Sequence, residues 1–209
     1  MIRTSSLLRL AGIAATALAL SGCVSLLPKT KPAHLYRFGQ PLAAEAITAP
    51  QGTVGVFRAA SIFQRESAGD RLLTITDGKA AYVAETRWVA PAAILWDEAV
   101  LAAFDADHGP VRVISRGEPA SADYALRLDV RNFEAVYEHG AKAAPTVVVR
   151  VRAAITGGKD RSLISDKIFE KRVKAADNRV GAIVPAYDRA VAEILAEVVE
   201  WTTDQAKPL

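Results

Sequence analysis

The side chains that could carry out chemistry are few and far apart in this sequence. Cys23 is the only cysteine among the 209 residues, and the three histidines are His34, His108 and His139. No His-Glu-x-x-His, Cys-x-x-Cys or calcium-loop spacing surrounds them, so a metal site would lack ligands. A Gly-x-Ser-x-Gly elbow and a phosphate-binding glycine-rich loop are also missing from the sequence. These observations predict a protein that is not an enzyme and that needs neither a metal nor a cofactor.

Three features that resemble parts of a catalytic site have simpler explanations. Asp97 and Glu98 are neighbours in a predicted helix, where adjacent side chains diverge by about 100° and cannot converge on one substrate. His108 lies in the stretch Asp-Ala-Asp-His-Gly, where a solvated turn residue is expected. Gly157 and Gly158 lie between two predicted strands, which indicates a turn rather than a phosphate-binding loop.

Cys23 leaves four roles open: a core residue, a nucleophile, a metal ligand or a site where something is attached. The residues before it narrow the choice. Two arginines and no acidic residue precede an apolar run of 11 residues, 10–20, and the small residues Ser21 and Gly22 follow. This is the layout of a secretory signal peptide. The run is too short for a final membrane anchor, because a transmembrane helix needs about 20 apolar residues.

The stretch Leu20-Ser21-Gly22-Cys23 resembles the lipobox of bacterial lipoproteins. The resemblance implies that the Cys23 thiol receives a diacylglyceryl group, which palmitate would label, and that cleavage falls between Gly22 and Cys23. Val24 stands where an aspartate would favour retention in the inner membrane, so we expect an outer-membrane anchor with the domain facing the periplasm. The expected organisation is a signal peptide over 1–22, an acylated cysteine and tether over 23–33, and a domain over 34–209.

The charge of the mature chain argues against one class of partner. Cleavage after Gly22 lowers the formal net charge from +3 to +1, because Arg3 and Arg9 leave with the signal peptide. No basic tract remains, so nucleic-acid binding has no support. An acylated Cys23 leaves no thiol for a disulfide, and we therefore expect packing alone to hold the domain together.

Hydrophobic periodicity predicts an α+β fold in a single domain after the signal peptide. Strands are predicted at 35–39, 53–60, 111–115, 122–133, 145–155 and 163–173, with a hairpin around Asp77-Gly78. Helices are predicted at 91–105 and 185–203, and residues 40–53 read as a loop. The second helix carries an apolar stripe that can cover one face of the sheet. The expected architecture is a mostly antiparallel sheet with two main helices packed on one face.

Two surfaces are candidates for contact with a partner. Ile94 and Leu101 fall on the acidic side of the first predicted helix, which is either covered on two sides or offers an apolar contact. Arginines that alternate with apolar residues on two predicted strands form either a solvated sheet face or a patch for acidic partner residues or lipid headgroups. These are Arg127, Arg131, Arg150 and Arg152.

Several of these stretches together resemble the ABC-type transport auxiliary lipoproteins, the family that includes paraquat-inducible protein C. The likeness rests on the lipobox, the aromatic strand Leu-Tyr-Arg-Phe-Gly, the element Arg87-Trp88-Val89-Ala90-Pro91, the strand that begins Ala-Asp-Tyr, and the amphipathic C-terminal helix. Relatives commonly have two aromatic residues in a row in the first strand, so the resemblance gives Tyr36 no role.

The resemblance implies a part in an envelope transport system that moves lipids or other hydrophobic molecules. The expected partners are an ABC ATPase, a permease and a substrate-binding protein of the mammalian-cell-entry type, with this chain as a non-catalytic docking component; a homo-oligomer is also possible. Two other functions stay open. One is a periplasmic carrier that holds lipid in its own pocket, and the other is a structural lipoprotein for envelope integrity.

Overall fold

The fold is taken from a computed structural model, which describes residues 32–39, 54–107 and 109–207. The predictions for the signal peptide, Cys23, most of the tether, the loop 40–53 and His108 lie outside the described residues. From Ala33 onward the described chain forms one compact unit.

Nine strands and two helices make up the described chain. The strands are β1 (His34–Tyr36), β2 (Val54–Arg58), β3 (Ile62–Phe63), β4 (Arg71–Thr76), β5 (Lys79–Trp88), β6 (Val111–Ile114), β7 (Tyr124–Tyr137), β8 (Thr146–Gly157) and β9 (Leu163–Lys174). The helices are α1 (Ala92–Ala106) and α2 (Val180–Gln205). The predicted elements are therefore confirmed within a few residues, apart from β3 and the start of the second helix.

The long strand β7 is the centre of the sheet. On one side β7, β8 and β9 form an antiparallel meander, which contains the longest ladders. On the other side β2, β3 and β4 pair in parallel with successive parts of β7, from Tyr124 to Tyr137. β6 extends the sheet beside β2, whereas β5 and then β1 extend it beside β4. The prediction of a mostly antiparallel sheet is confirmed, with parallel pairs added.

Both helices cover the same face of the sheet, as predicted. Alternation along β7 buries Tyr124, Leu126, Leu128 and Val130 on that face. The stripe of α2 from Tyr187 to Trp201 is buried against β8 and β9. Trp96 of α1 contacts Phe63, whose ring contacts Phe133 of β7. Tyr187 of α2 packs on the same Phe133 ring, so the two helices share one core.

The turn between β4 and β5 has the geometry that its sequence predicts. Asp77 and Gly78 both have positive φ angles, 48° and 73°. Two consecutive positive φ values define a type I′ turn, whose twist matches that of the flanking strands. The predicted Asp-Gly hairpin is thus confirmed.

The second helix begins five residues earlier than the prediction from Pro185. It starts at Val180 and contains Pro185 in its second turn. A proline lacks the N–H that would bond the carbonyl four residues before it, here that of Gly181. Gly181 is exposed, with no heavy atom within 4 Å of the position of a Cβ, so water can satisfy its carbonyl. The proline therefore does not mark the start of the helix.

Candidate functional site

A groove of about 730 Å³ lies between the two helices on the outer side of the domain. The second half of α1 forms one wall, α2 forms the other, and Gly39, just after β1, closes one part of it. The wall from α1 consists of alanines, at positions 99, 102, 103 and 106. This spacing places their side chains on one face of a helix. Because a methyl group is short, the two helices contact each other and still leave an open trough.

The floor of the groove is apolar, whereas its rim is acidic. Val191, Leu195 and Val199 of α2 form the floor and are buried. Four carboxylates contribute to the lining, and none of the described residues that line the groove is basic. These acids are Asp107, Asp188, Glu200 and Asp204. The groove can therefore accept an apolar group that carries positive charge at its edge.

The chain that enters the domain is fixed to one end of this groove. Gly39 has a φ of 65°, and its N–H donates a hydrogen bond to Oδ1 of Asp188 at 2.8 Å. A Cβ at Gly39 would lie 2.6 Å from the Cβ of Ala99. Glycine is therefore required here both by the backbone angle and by the close approach of α1. The segment after β1 thus helps to set the separation of the helices.

The space between the sheet and the helices is filled by aromatic rings. Phe38 packs on Trp88 and Phe133 with centroid distances of 5.0 and 4.9 Å. Tyr187 packs on Phe133 at 4.8 Å, and its hydroxyl donates to the carbonyl of Leu73. Burial raises the pKa of Tyr187 well above its usual 10.0, and the Glu134 carboxylate adds to the effect. A carrier with lipid held under the helices would need space that these rings occupy.

Ile94 and Leu101 lie on the exposed side of α1 that their spacing predicts. Half of the surface of Ile94 is exposed, and Leu101 is half-buried. Arg37, just after β1, forms an ion pair of 2.6 Å with Glu98, one helical turn after Ile94. Two further exposed apolar residues, Leu35 and Val89, belong to this end of the sheet. Ile94 is therefore an exposed apolar residue beside an ion pair, whereas Leu101 lies farther along the helix.

The four predicted surface arginines lie on β7 and β8, and most of them have acidic partners within the chain. Arg152 binds Asp166 at 2.6 Å, and Arg150 approaches Glu170 at 3.6 Å, both on β9. Arg131 occupies a bulge of β7, where the register with β8 shifts, and approaches Asp129. Arg127 is exposed and has no ion pair among the described residues. The sheet face is thus a network of paired charges, with less free positive charge than the sequence implies.

The remaining candidates for chemistry stay separate. The carboxylates of Asp97 and Glu98 diverge as expected, since Asp97 binds Arg58 at 2.7 Å and Glu98 binds Arg37. His34 and His139 are both exposed. No three histidine, cysteine or acidic side chains come together to hold a metal ion within residues 32–39, 54–107 and 109–207. In the same part of the chain, neither helix is long and apolar enough to cross a membrane.

The groove was not predicted from the sequence, although a signal for it is present. The alanines of α1 recur at helical spacing, and α2 has Ala192 and Ala196 on the corresponding side. Alanine favours a helix whether or not a partner covers it, so this pattern alone does not indicate a groove. The side-by-side placement of two helices that are far apart in sequence provides the missing information.

The fold and this groove define an α+β domain in which two helices cover one face of a mixed sheet. Over residues 69–199 the chain matches the family of ABC-type transport auxiliary lipoprotein components, and it belongs to that family. The expected family resemblance is thus confirmed.

Solved structures agree on the fold. The chain is similar to protein XCC0632 from Xanthomonas campestris, with a TM-score of 0.68 and 21% identity over 82% of this chain and 96% of that one. It is also similar to an uncharacterized protein of known crystal structure, with a TM-score of 0.65 and 13% identity over 82% of this chain and 99% of the other. At such identities the likeness concerns the fold alone. No curated protein sequence matches the chain.

Proposed function

We propose that this protein is a non-catalytic docking lipoprotein of an ABC transport system that moves lipids or other hydrophobic molecules across the bacterial envelope. In this proposal Cys23 is acylated after cleavage behind Gly22 and anchors the domain to the periplasmic face of the outer membrane. The partner that it docks is the mammalian-cell-entry type substrate-binding protein, with the permease and the ATPase beyond it. The family match carries the proposal, because the family is described as a transport auxiliary component.

The groove between α1 and α2 is the surface best suited to this docking role. Its floor offers buried apolar area, and its acidic rim selects for positive charge. An amphipathic helix or strand of the partner, with basic residues beside an apolar face, would match both features. The sheet face is less suitable because most of its arginines already pair with acids of the same chain.

Site-specific photocrosslinking in cells tests the proposal. A benzophenone amino acid placed at Ala196, which is exposed and lines the groove, should crosslink to the mammalian-cell-entry subunit. The same group at Ala84, which is exposed on β5 away from the groove, is the matched control. The Cys23→Ser variant should remain an unprocessed or soluble precursor without palmitate label, and its crosslink should be strongly reduced.

A charge reversal on α2 sharpens this test. Glu200→Lys changes the rim of the groove, whereas Glu193→Lys makes the same change on the same helix outside the lining residues. We expect the crosslink from Ala196 to fall for Glu200→Lys and to persist for Glu193→Lys. Recovery of only unrelated proteins from Ala196, or palmitate labelling of Cys23→Ser, would contradict the proposal.

A second candidate function, a lipid carrier, is favoured by the size of the groove. Ligand pockets commonly enclose about 300–1,000 Å³, and this groove has a comparable volume and an apolar floor. A carrier should copurify with lipid that mass spectrometry detects, and Ala196→Trp, which fills the groove, should reduce the amount. A domain that copurifies with no lipid would exclude this function and leave the docking role intact.

A further inference from the structure

The two helices run side by side in the same direction and finish at the same end of the groove. Gly39 contacts both helices at the other end: its N–H donates to Asp188, and a Cβ on it would lie 2.6 Å from the Cβ of Ala99. From this point the lining continues toward the C-termini of both helices, as far as Asp107 directly after α1 and Asp204 in the last turn of α2. The negative ends of two helix dipoles therefore lie at one end of the groove.

Three carboxylates add to the negative charge there. They belong to Asp107, Glu200 and Asp204, which line the groove and are exposed. None of them forms an ion pair with another described residue, and neither helix has a basic residue in its last turn. Acidic side chains at the C-terminus of a helix are unfavourable for that helix, so the stability of the fold does not explain them. We call Asp107, Glu200 and Asp204 the acidic end of the groove.

The acidic end differs in charge from the rest of the chain. The sequence has 26 basic and 23 acidic residues, yet the described lining of the groove has acids and no base. The apolar floor of Val191, Leu195 and Val199 belongs to the same groove. An apolar trough with a negative end is complementary to an apolar chain with a positive end.

We propose that the groove binds a single-chain amphiphile whose headgroup is an ammonium ion. The apolar chain lies on Val191, Leu195 and Val199, and the ammonium group lies among the carboxylates of the acidic end. This inference rests on the carrier function, the second candidate above, and names the class of molecule that such a carrier holds.

The length of the groove fits one chain of the kind found in membranes. Asp188 and Asp204 are 16 residues apart on α2, which is about 24 Å along a helix. A bilayer core about 30 Å thick gives each lipid chain about 15 Å. The groove thus has room for a chain of this length and for a headgroup beyond it.

Thr203 gives independent support for a ligand that donates hydrogen bonds. It lines the groove between Glu200 and Asp204 in the sequence, and its hydroxyl oxygen is shielded from water without a hydrogen-bond partner among the described residues. A shielded polar group without a partner costs free energy. An ammonium N–H that reaches this hydroxyl as the side chain turns would supply the missing bond, whereas the acids around it would repel a carboxylate headgroup.

Photolabelling of the intact lipoprotein tests this inference. The acylated protein is reconstituted into phosphatidylcholine vesicles, whose zero net charge concentrates neither probe. Two probes share one alkyl chain with a diazirine and an alkyne, and one ends in a primary amine, the other in a carboxylate. After illumination, mass spectrometry maps the labelled peptides. The amine probe should label residues 99–107 and 188–204 at least about fivefold more than the carboxylate probe, since one exposed charge pair changes an affinity by up to about fivefold.

Matched variants separate the effect of charge from that of the groove. Glu200→Gln combined with Asp204→Asn should lower labelling by the amine probe about three- to tenfold without lowering that by the carboxylate probe. Glu193→Gln, which changes an exposed acid of the same helix outside the lining, should leave both unchanged. Ala196→Trp fills the groove and should reduce labelling there, whereas Ala84→Trp on β5 should not. Urea unfolding of each variant shows that it is folded.

Three results would overturn the inference. Equal labelling of the groove by both probes would exclude the preference for ammonium and leave the carrier function standing. Absence of groove labelling by both probes would exclude the carrier function as well. Amine labelling that survives Ala196→Trp would place the ligand outside the groove. Docking is measured separately, by the crosslink between position 196 and the mammalian-cell-entry subunit.

Discussion

Two edges of the sheet, the β1 edge and the β9 edge, are built in different ways. β1 pairs with β5 over only three residues, and the buried ring of Phe38, two residues after the strand, fixes this segment to the core. β9 pairs with β8 along almost its whole length of 12 residues. Its exposed residues include both apolar and charged side chains, and its charges bind those of β8 and the β7–β8 connection. One edge depends on packing, and the other depends on a long hydrogen-bonded ladder.

This difference shows how the molecule can expose apolar residues without a general tendency to aggregate. A long free strand edge is a template for other chains unless charged side chains interrupt it. β9 carries such charges, including Asp166, Glu170 and Arg172. β1 offers too few backbone groups to act as a template, so its neighbourhood can carry exposed apolar side chains. Both edges therefore expose apolar side chains, Leu35 at β1 and Leu163, Ile164 and Ile168 on β9, without a long uninterrupted apolar edge.

The largest expected effect comes from removing one buried aromatic ring near each of the two edges. Phe38→Ala and Phe169→Ala each remove a buried ring and should each lower the free energy of unfolding by about 3–5 kcal/mol. Hydrogen exchange should distinguish the two variants. Phe38→Ala should expose the amides of β1, which pairs over only three residues, whereas the ladder with β8 should still protect the amides of β9 in Phe169→Ala. Urea unfolding gives the first quantity and exchange mass spectrometry the second. Equal loss of protection at β1 and β9 in their respective variants would contradict the comparison.

A smaller effect is expected from glycines near the two edges. Gly39→Ala should destabilise the protein by about 1–3 kcal/mol, because it adds a strained positive φ and a clash with Ala99. Gly140, in the β7–β8 connection, has a φ of 82° with no atom within 4 Å of its Cβ position. Gly140→Ala therefore isolates the cost of the angle, about 1 kcal/mol. If thermal unfolding showed the same loss of stability for both variants, the close packing of Gly39 against α1 would not contribute to the effect of Gly39→Ala.

The smallest effect is a pH dependence at the β9 edge. Hydrogen bonds from Thr146 and Arg172 lower the pKa of Glu138 below its usual 4.5. A lowered carboxyl pKa stabilises the folded state above the unfolded pKa, and this contribution is lost as the pH falls through the folded pKa. The Tm of the natural chain should exceed that of Glu138→Gln at neutral pH, and the difference should shrink in acid. Thr146→Val should weaken this dependence, and a Tm difference that stays constant with pH would contradict it.

The sequence predicted most of the elements because their signals are local. The Asp77-Gly78 turn and the alternation in β7 depend on neighbouring residues, and both agree with the structure. The parallel pairs between β7 and β2, β3 and β4 join residues far apart in the chain, and no local pattern encodes them. The predicted start of α2 was wrong because Pro185 lies inside the helix, where the residue four positions before it, Gly181, is exposed.

The candidate surfaces were predictable only in part. Ile94 could be recognised as an apolar residue among acids on a helix, but the ion pair of Arg37 with Glu98 beside it joins segments far apart in the chain. The arginines of β7 and β8 could be placed on one face, whereas the pairing of Arg150 and Arg152 with acids of β9 required the register of that strand. The groove required both helices to be placed in space. A feature of a single element can be predicted from its sequence pattern, but a surface shared by several elements can be recognised only in the tertiary structure.

The position of β7 also constrains the order in which the chain can fold. β2, β3 and β4 all precede β7 in sequence, yet each has a parallel partner on that strand. When the N-terminus of the chain emerges first, these three strands therefore lack their partner β7 until residue 137 has emerged. The β4–β5 hairpin can close first, because its strands are joined by two residues. We expect a holding chaperone to matter most for this first part of the domain, and a truncation before β7 to be degraded rather than to form a stable subdomain.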